Sequence, residues 1–185
     1  MSWREFTAAL LLCATPALAA PGAIGVGEKL TPADLAEAVS IPPDGAGLPP
    51  GSGTAATGAT VYAQACAACH GADLQGQKTI GAPALIGGRG TLARVPVLGP
   101  KPGNLPVKTV ESYWPYATTL FDYIRRAMPM NAPGSLTSDQ VYGVTAYILA
   151  QAKIVPGSAI IDAKTLPAVR MPNRDGFVWD FRPKK

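Results

Sequence analysis

Cys66-Ala67-Ala68-Cys69-His70 gathers two thiols and an imidazole into five consecutive residues. His70 is the only histidine of the chain, and Cys13 is the only other cysteine. The order C-x-x-C-H is the attachment sequence of a c-type haem. The two thiols add to the vinyl groups of the porphyrin, and a gap of two residues, spanning about one helical turn, presents both sulfurs to one porphyrin edge. The adjacent imidazole then reaches the iron from the proximal side. With no further cysteine pair and no second histidine, the chain can hold one covalent haem c and no more.

Other uses of these side chains fit less well. Structural zinc wants four Cys/His ligands, whereas this cluster offers three and no second pair to close the tetrahedron. A thioredoxin-like redox pair follows a strand in a βαβ pattern, but Ala55–Ala65, just before Cys66, reads as helix. A disulfide across two residues would close a very small loop and constrain little.

The elements that must carry the motif can be read outward from it. Gly58, Tyr62 and Cys66 fall on one stripe of the helix that runs into the haem motif. A second helix is expected after Tyr116, where Leu120, Phe121 and Ile124 repeat at helical spacing. A final helix opens on Thr137-Ser138-Asp139-Gln140, a capping box in which Thr137 and Gln140 satisfy each other's backbone. It continues with Val141, Val144, Thr145, Ile148 and Leu149 on one face. Between these helices Gly71–Pro115 reads mostly as loop. So long a loop is unusual in a small domain, but it is reasonable where a buried porphyrin supplies the core. By the same reasoning the apoprotein is expected to be largely unfolded, because a few helices with long loops bury little apolar area by themselves.

The flanks have a different character. Residues 1–19 form a Sec-type export signal: Arg4, an apolar run Ala8–Cys13, then Pro16 and the small-x-small site Ala17-Leu18-Ala19. The apolar run is too short to span a bilayer, and no stable membrane insertion is expected elsewhere. Residues 20–54 form a Gly/Pro-rich arm with one short helix expected from Thr31, capped there and carrying Leu35 and Val39 on one face. Residues 55–153 make the haem domain and 154–185 a C-terminal extension. Export agrees with covalent haem attachment, which takes place outside the cytoplasm, so a periplasmic location is expected. The net charge of +4 and a basic C-terminus suit docking to an acidic redox partner as well as a solvated surface. A nucleic-acid partner is not expected, since basic and aromatic residues do not interleave.

His70 leaves the sixth iron position open. Past the signal the methionines are Met128, Met130 and Met171. Met128 and Met130 flank Pro129, which biases Met128 out of the helix into an extended loop. Residues two apart on an extended segment point the same way, so direction does not choose between them. Pro129 stiffens the backbone beside Met128, which favours Met128 as the axial ligand, with Met130 as the alternative and Met171 third. A thioether ligand fills the site and raises the reduction potential, which suits electron transfer rather than ligand binding. A catalytic or gas-binding haem would need a labile sixth position and polar distal groups.

Cys66–His70, the Met128-Pro129 loop and the capped final helix together resemble a class I cytochrome c. The resemblance implies an all-α fold of three to four helices around one covalent haem, with Met128 as the distal ligand. It also implies that Gly58 and Tyr62 cross the last helix near Val144 and Tyr147, and that the Pro83 carbonyl orients His70 through its second ring nitrogen. A narrower similarity lies in Pro43–Pro49, Tyr113–Ile124 and Met171–Phe177. These segments resemble the cytochrome c subunit of sulfite and sulfane-sulfur dehydrogenases. That resemblance implies an electron-transfer subunit, not catalytic by itself, that serves a molybdenum-cofactor dehydrogenase subunit. It would pass electrons to a downstream cytochrome or oxidase. A soluble carrier cytochrome without a dedicated partner is the alternative.

Overall fold

The computed structural model describes residues 29, 31–32, 40–92 and 106–177. The chain divides into Met1–Val39 and Ser40–Lys185. The expected export signal, and the expected helix past Pro32, lie outside the described residues.

Helix α1 (Ala55–Ala65) starts where Thr54 leaves the helical conformation. The Thr57 amide donates to Thr54 Oγ1 at 3.2 Å and the Thr54 amide donates to Thr57 Oγ1 at 3.0 Å. This reciprocal pair satisfies two of the donors that a helix start leaves orphaned. The helix breaks at Cys66, whose backbone is non-helical, and one further turn, α2 (Ala67–His70), follows. Helix α3 (Ala117–Ala127) buries Leu120, Phe121 and Ile124, as their spacing predicts. Helix α4 (Ser138–Gln151) opens on the expected Thr137/Gln140 capping box. It buries Val141 through Ala146 together with Ile148 and Leu149, so it is the central element rather than an amphipathic surface helix.

Three packing relations fix the helices. Gly58 of α1 sits on the backbone of Gly143, so close that a Cβ at Gly58 would lie 1.8 Å from the Gly143 carbonyl oxygen. Beside this point the rings of Tyr62 and Tyr147 meet at 5.0 Å. The crossing therefore centres on Gly143, one residue before Val144, with Tyr147 in contact as expected. On the other flank of α4, Tyr142 meets Phe121 of α3 with ring centroids 4.4 Å apart. Phe121 and Leu149 are fully buried, and each stabilises the fold by roughly 2 kcal/mol relative to exposure.

The all-helical expectation holds with one addition. Strand β1 (Ser52–Thr54) pairs antiparallel with β2 (Ile160–Asp162), Gly53 facing Ile161. This short ribbon ties the C-terminal extension to the start of α1. Further along the extension two described residues enter the core: Leu166 and Met171 are fully buried. Asn173 Nδ2 donates to the Tyr113 carbonyl at 2.7 Å, Phe177 packs edge-on against Tyr113, and the Arg174 guanidinium lies 4.4 Å from the Tyr116 ring centre. Residues 171–177 thus strap the loop that leads into α3. Among the described residues no helix is long and apolar enough to cross a membrane.

Candidate functional site

The break between α1 and α2 places the two cysteines. The amides of Cys69 and His70 both donate to the Cys66 carbonyl, at 3.1 and 2.9 Å, so the five residues curl into one tight turn. Cys66 is half-buried and Cys69 exposed, and neither is in a disulfide. Burial, with a smaller contribution from neighbouring Cys69, pushes the Cys66 thiol up to about 11. A reactive or metal-seeking cysteine has its thiolate favoured; Cys66 has the opposite environment. The half-buried thiol and the exposed one, unpaired and on one turn, are both available for covalent attachment.

His70 is held through its ring. Its Nδ1 lies 2.9 Å from the Pro83 carbonyl oxygen. A carbonyl only accepts, so Nδ1 carries the proton and Nε2 keeps its lone pair for a metal. The Pro83 carbonyl is therefore where the sequence resemblance put it. What brings it there is a compact turn. The Gly76 amide donates to the His70 carbonyl at 2.8 Å, the amides of Gln77 and Ala82 donate to each other's carbonyls, and the Gln77 side-chain amide donates to the Ala68 carbonyl at 2.7 Å. Gly76 is required at its position: its φ is +74°, and a Cβ would come within 2.6 Å of Ala82, Pro83 and Ala84 backbone atoms.

A further anchor lies beneath. The Tyr62 hydroxyl donates to the Gly71 carbonyl at 2.7 Å. Tyr62 is almost wholly buried, and burial, with added repulsion from Cys66, raises its phenol well above the ordinary range. Gly71 itself has φ +77° and ψ 150°, a region that essentially only glycine enters.

The structure separates the three methionines. Helix α3 ends at Met128, which is extended (φ −122°, ψ 144°), as Pro129 predicts. Met128 is partly buried and packed against the core, whereas Met130 is 79% exposed in the loop that follows. Met171 is enclosed in the core by the C-terminal strap. Two residues that share a direction on a regular strand thus differ in environment, because the loop turns between them. Arg126 makes an ion pair with the buried Asp122 one turn earlier at 2.6 Å. Trp114 packs edge-on against Tyr123 at 5.7 Å and partly against the core.

These residues fit a c-type haem. Two unpaired thiols sit on one turn, the adjacent imidazole keeps the lone pair of its Nε2, and a partly buried thioether stands at the end of α3. Leu85, Ile86, Trp114 and Met128 line the core's edge as incompletely buried apolar side chains. Sequence reasoning missed the Tyr62 hydroxyl, Gly76 and the Thr54/Thr57 cap. The threonine pair was readable in Thr54-Ala55-Ala56-Thr57, although the usual Glu or Gln partner is replaced by threonine.

A family model described as cytochrome c matches residues 55–152. The chain is also similar to the crystal structure of the sulfane dehydrogenase SoxCD from Paracoccus pantotrophus. The identity is 36%, over 85% of this chain and 73% of that chain, with a TM-score of 0.70. No curated protein matches the chain.

Proposed function

The chain belongs to the cytochrome c family, and we propose that it is the exported, single-haem electron-transfer subunit of a sulfur-oxidising dehydrogenase. The observation that carries the dehydrogenase reading is the extent of its likeness to SoxCD, 85% of the chain. The cytochrome c match, residues 55–152, covers 98 of 185 residues, so the likeness reaches beyond the haem domain. A general carrier has no need of a C-terminal extension with its own buried anchors, Leu166 and Met171. A subunit that must present its haem to one fixed partner does.

In this reading Cys66 and Cys69 would hold the porphyrin through thioethers, and His70 Nε2 and the Met128 sulfur would hold its iron. The bound haem supplies a one-electron ferric–ferrous couple. The chain contributes orientation and exclusion of water. Pro83 fixes the His70 tautomer, Met128 would keep competing ligands from the iron, and the apolar edge lowers the local dielectric. Electrons arrive from a molybdenum-cofactor dehydrogenase subunit, as the resemblance implies, and leave to a downstream cytochrome or oxidase. The N-terminal signal and the site of haem attachment support a periplasmic location. Oxidation of sulfur belongs to the partner, so the chain is not catalytic by itself.

Co-purification from the native host, followed by sulfite- and thiosulfate-dependent reduction of the haem, tests the proposal. A molybdenum-containing subunit that comes with the chain, and haem that is reduced on adding either compound, is the expected result. If the haem protein runs alone and neither compound reduces it, the dehydrogenase reading fails while the family membership stands.

A further inference from the structure

Three peptide groups bracket the imidazole of His70, and each is pinned. The ring is held by Pro83 O at 2.9 Å, the His70 carbonyl by the Gly76 amide at 2.8 Å, and the Gly71 carbonyl by the Tyr62 hydroxyl at 2.7 Å. The third differs from the others. The first two are made within the loop 70–83 and would move with it. The Gly71 amide is held by the Ala67 carbonyl of α2 at 3.0 Å, and among the described residues the Tyr62 bond is the hydrogen bond that joins this loop to α1, whose position is set by the Gly58–Gly143 crossing. It acts on the carbonyl side of Gly71, where a glycine at φ +77° and ψ 150° has no side chain to resist rotation. The Leu74 amide also donates to Gly71 O, at 3.2 Å, but it belongs to the same loop.

We propose that the Tyr62 hydroxyl is a positioning group for the proximal ligand: through Gly71 it sets the rotation of the His70 imidazole about the bond from Nε2 to the iron. The proposal rests on the reading that Nε2 of His70 ligates the haem. The Pro83 contact alone fixes the tautomer and one point of the ring. A fixed point on the Gly71–Ala72 peptide, directly after the ligand and referred to the helix packing, adds the constraint that sets the ring plane relative to the porphyrin. Tyr62 is suited to this because its ring is immobilised against Tyr147 at 5.0 Å, and its hydroxyl reaches the backbone one residue after the ligand. A tyrosine serving only to fill the core would need no hydroxyl.

The test uses the haem-loaded full chain in its ferric form. Proton hyperfine shifts of the four haem methyl groups report the plane of the axial imidazole. Tyr62→Phe keeps the ring pair with Tyr147 and deletes only the donor, and is expected to change the order or spread of the methyl resonances. Tyr147→Phe, which removes the neighbouring hydroxyl, is expected to leave them as in the parent. An unchanged methyl pattern in a folded, loaded Tyr62→Phe protein overturns the proposal. Should that variant fail to take up haem, the parent protein still decides. A slowly exchanging Tyr62 phenolic proton with a nuclear Overhauser contact to the Gly71–Ala72 peptide supports the tether, and a proton exchanging at the rate of exposed tyrosines refutes it. A parent chain that carries no haem at all would instead remove the reading on which the proposal stands.

Discussion

The crossing of α1 and α4 offers a sharp numerical test, because two glycines face each other and the structure treats them unequally. A methyl group at Gly58 would lie 1.8 Å from the Gly143 carbonyl oxygen and 2.3 Å from its carbon. Contacts below 3.0 Å are essentially never seen for real Cβ atoms, so the helices must part by more than an ångström. The obstacle is backbone, which no rotamer change can relieve. Overpacking of this kind costs about 3 kcal/mol, the upper end of the usual range. Alanine regains about 1 kcal/mol of helix propensity over glycine. The net expectation for Gly58→Ala is a loss of about 2 kcal/mol, or roughly 4–8 °C in melting temperature for a unit of this size. The reciprocal change is milder. A Cβ at Gly143 would find the Gly58 amide nitrogen and Thr57 Oγ1 at 3.1 Å, which asks for a shift of only a few tenths of an ångström. The helix-propensity gain of about 1 kcal/mol then offsets most of the strain, so Gly143→Ala should melt close to the parent. Thermal melts of the haem-loaded proteins, followed by circular dichroism and by the Soret band, give both numbers. Equal losses at the two positions, or a Gly58→Ala protein as stable as the parent, would refute the reasoning.

Three further outcomes follow from the site and core. Replacing Met128 by alanine should abolish the far-red absorption band of methionine-bound ferric iron, while Met130→Ala should keep it, since Met130 is 79% exposed. Tyr142 is fully buried and donates to the Pro49 carbonyl at 2.9 Å; burial first, and nearby Asp162 second, push its phenol up to about 12. Its folded value therefore lies above the unfolded one of about 10, so its contribution is complete below pH of about 10 and is lost as pH rises toward 12. Melts from neutral to strongly alkaline pH should show this fall. Tyr142→Phe should be less stable by about 1 kcal/mol at neutral pH but have a shallower alkaline slope. Finally, a Cys66→Ser/Cys69→Ser double variant, which cannot attach haem covalently, should lose cooperative melting, and native-like circular dichroism in it would contradict the view that haem completes the core.

The elements that the sequence disclosed were those governed by local rules. Helix α4 was readable because Thr137 and Gln140 cap it and its apolar residues recur at helical spacing. The end of α3 at Met128 was readable because Pro129 excludes the helical region for its predecessor. The C-x-x-C-H turn carries its own chemistry. What stayed hidden depends on partners far away in sequence. Ser52–Thr54 and Ile160–Asp162 are each too short to announce a strand, and each becomes one only by pairing across more than 100 residues. The strap over Tyr113 and Tyr116 is set by Asn173, Arg174 and Phe177, whose spacing follows no period. The separation of Met128 from Met130 needed the turn between them, which no propensity specifies.

The two proposed axial ligands are tethered with unequal stiffness, and this has an observable consequence. His70 is tied at its ring and at the two carbonyls beside it, and one of those ties leads into the α1–α4 crossing. Met128 hangs from the last turn of α3 by its amide, which donates to the Ile124 carbonyl at 3.1 Å. The chain beyond it, Met130 to Ser135, is exposed throughout, and the backbone bonds it makes are local, such as those from Ala132 to Pro129 and from Ser135 to Ala132. Local opening draws on segments with few buried contacts. Opening the 129–135 loop sacrifices only a few such bonds, whereas freeing His70 means breaking its local ties and the Tyr62 bond to α1 as well. In a denaturant titration of the ferric protein the methionine–iron band should therefore vanish before the helical signal falls, with histidine ligation persisting through that first step. Coincident loss of the band and of the helices would mean that the Met128 loop is held by contacts to the haem itself, which outweigh its weak protein anchoring.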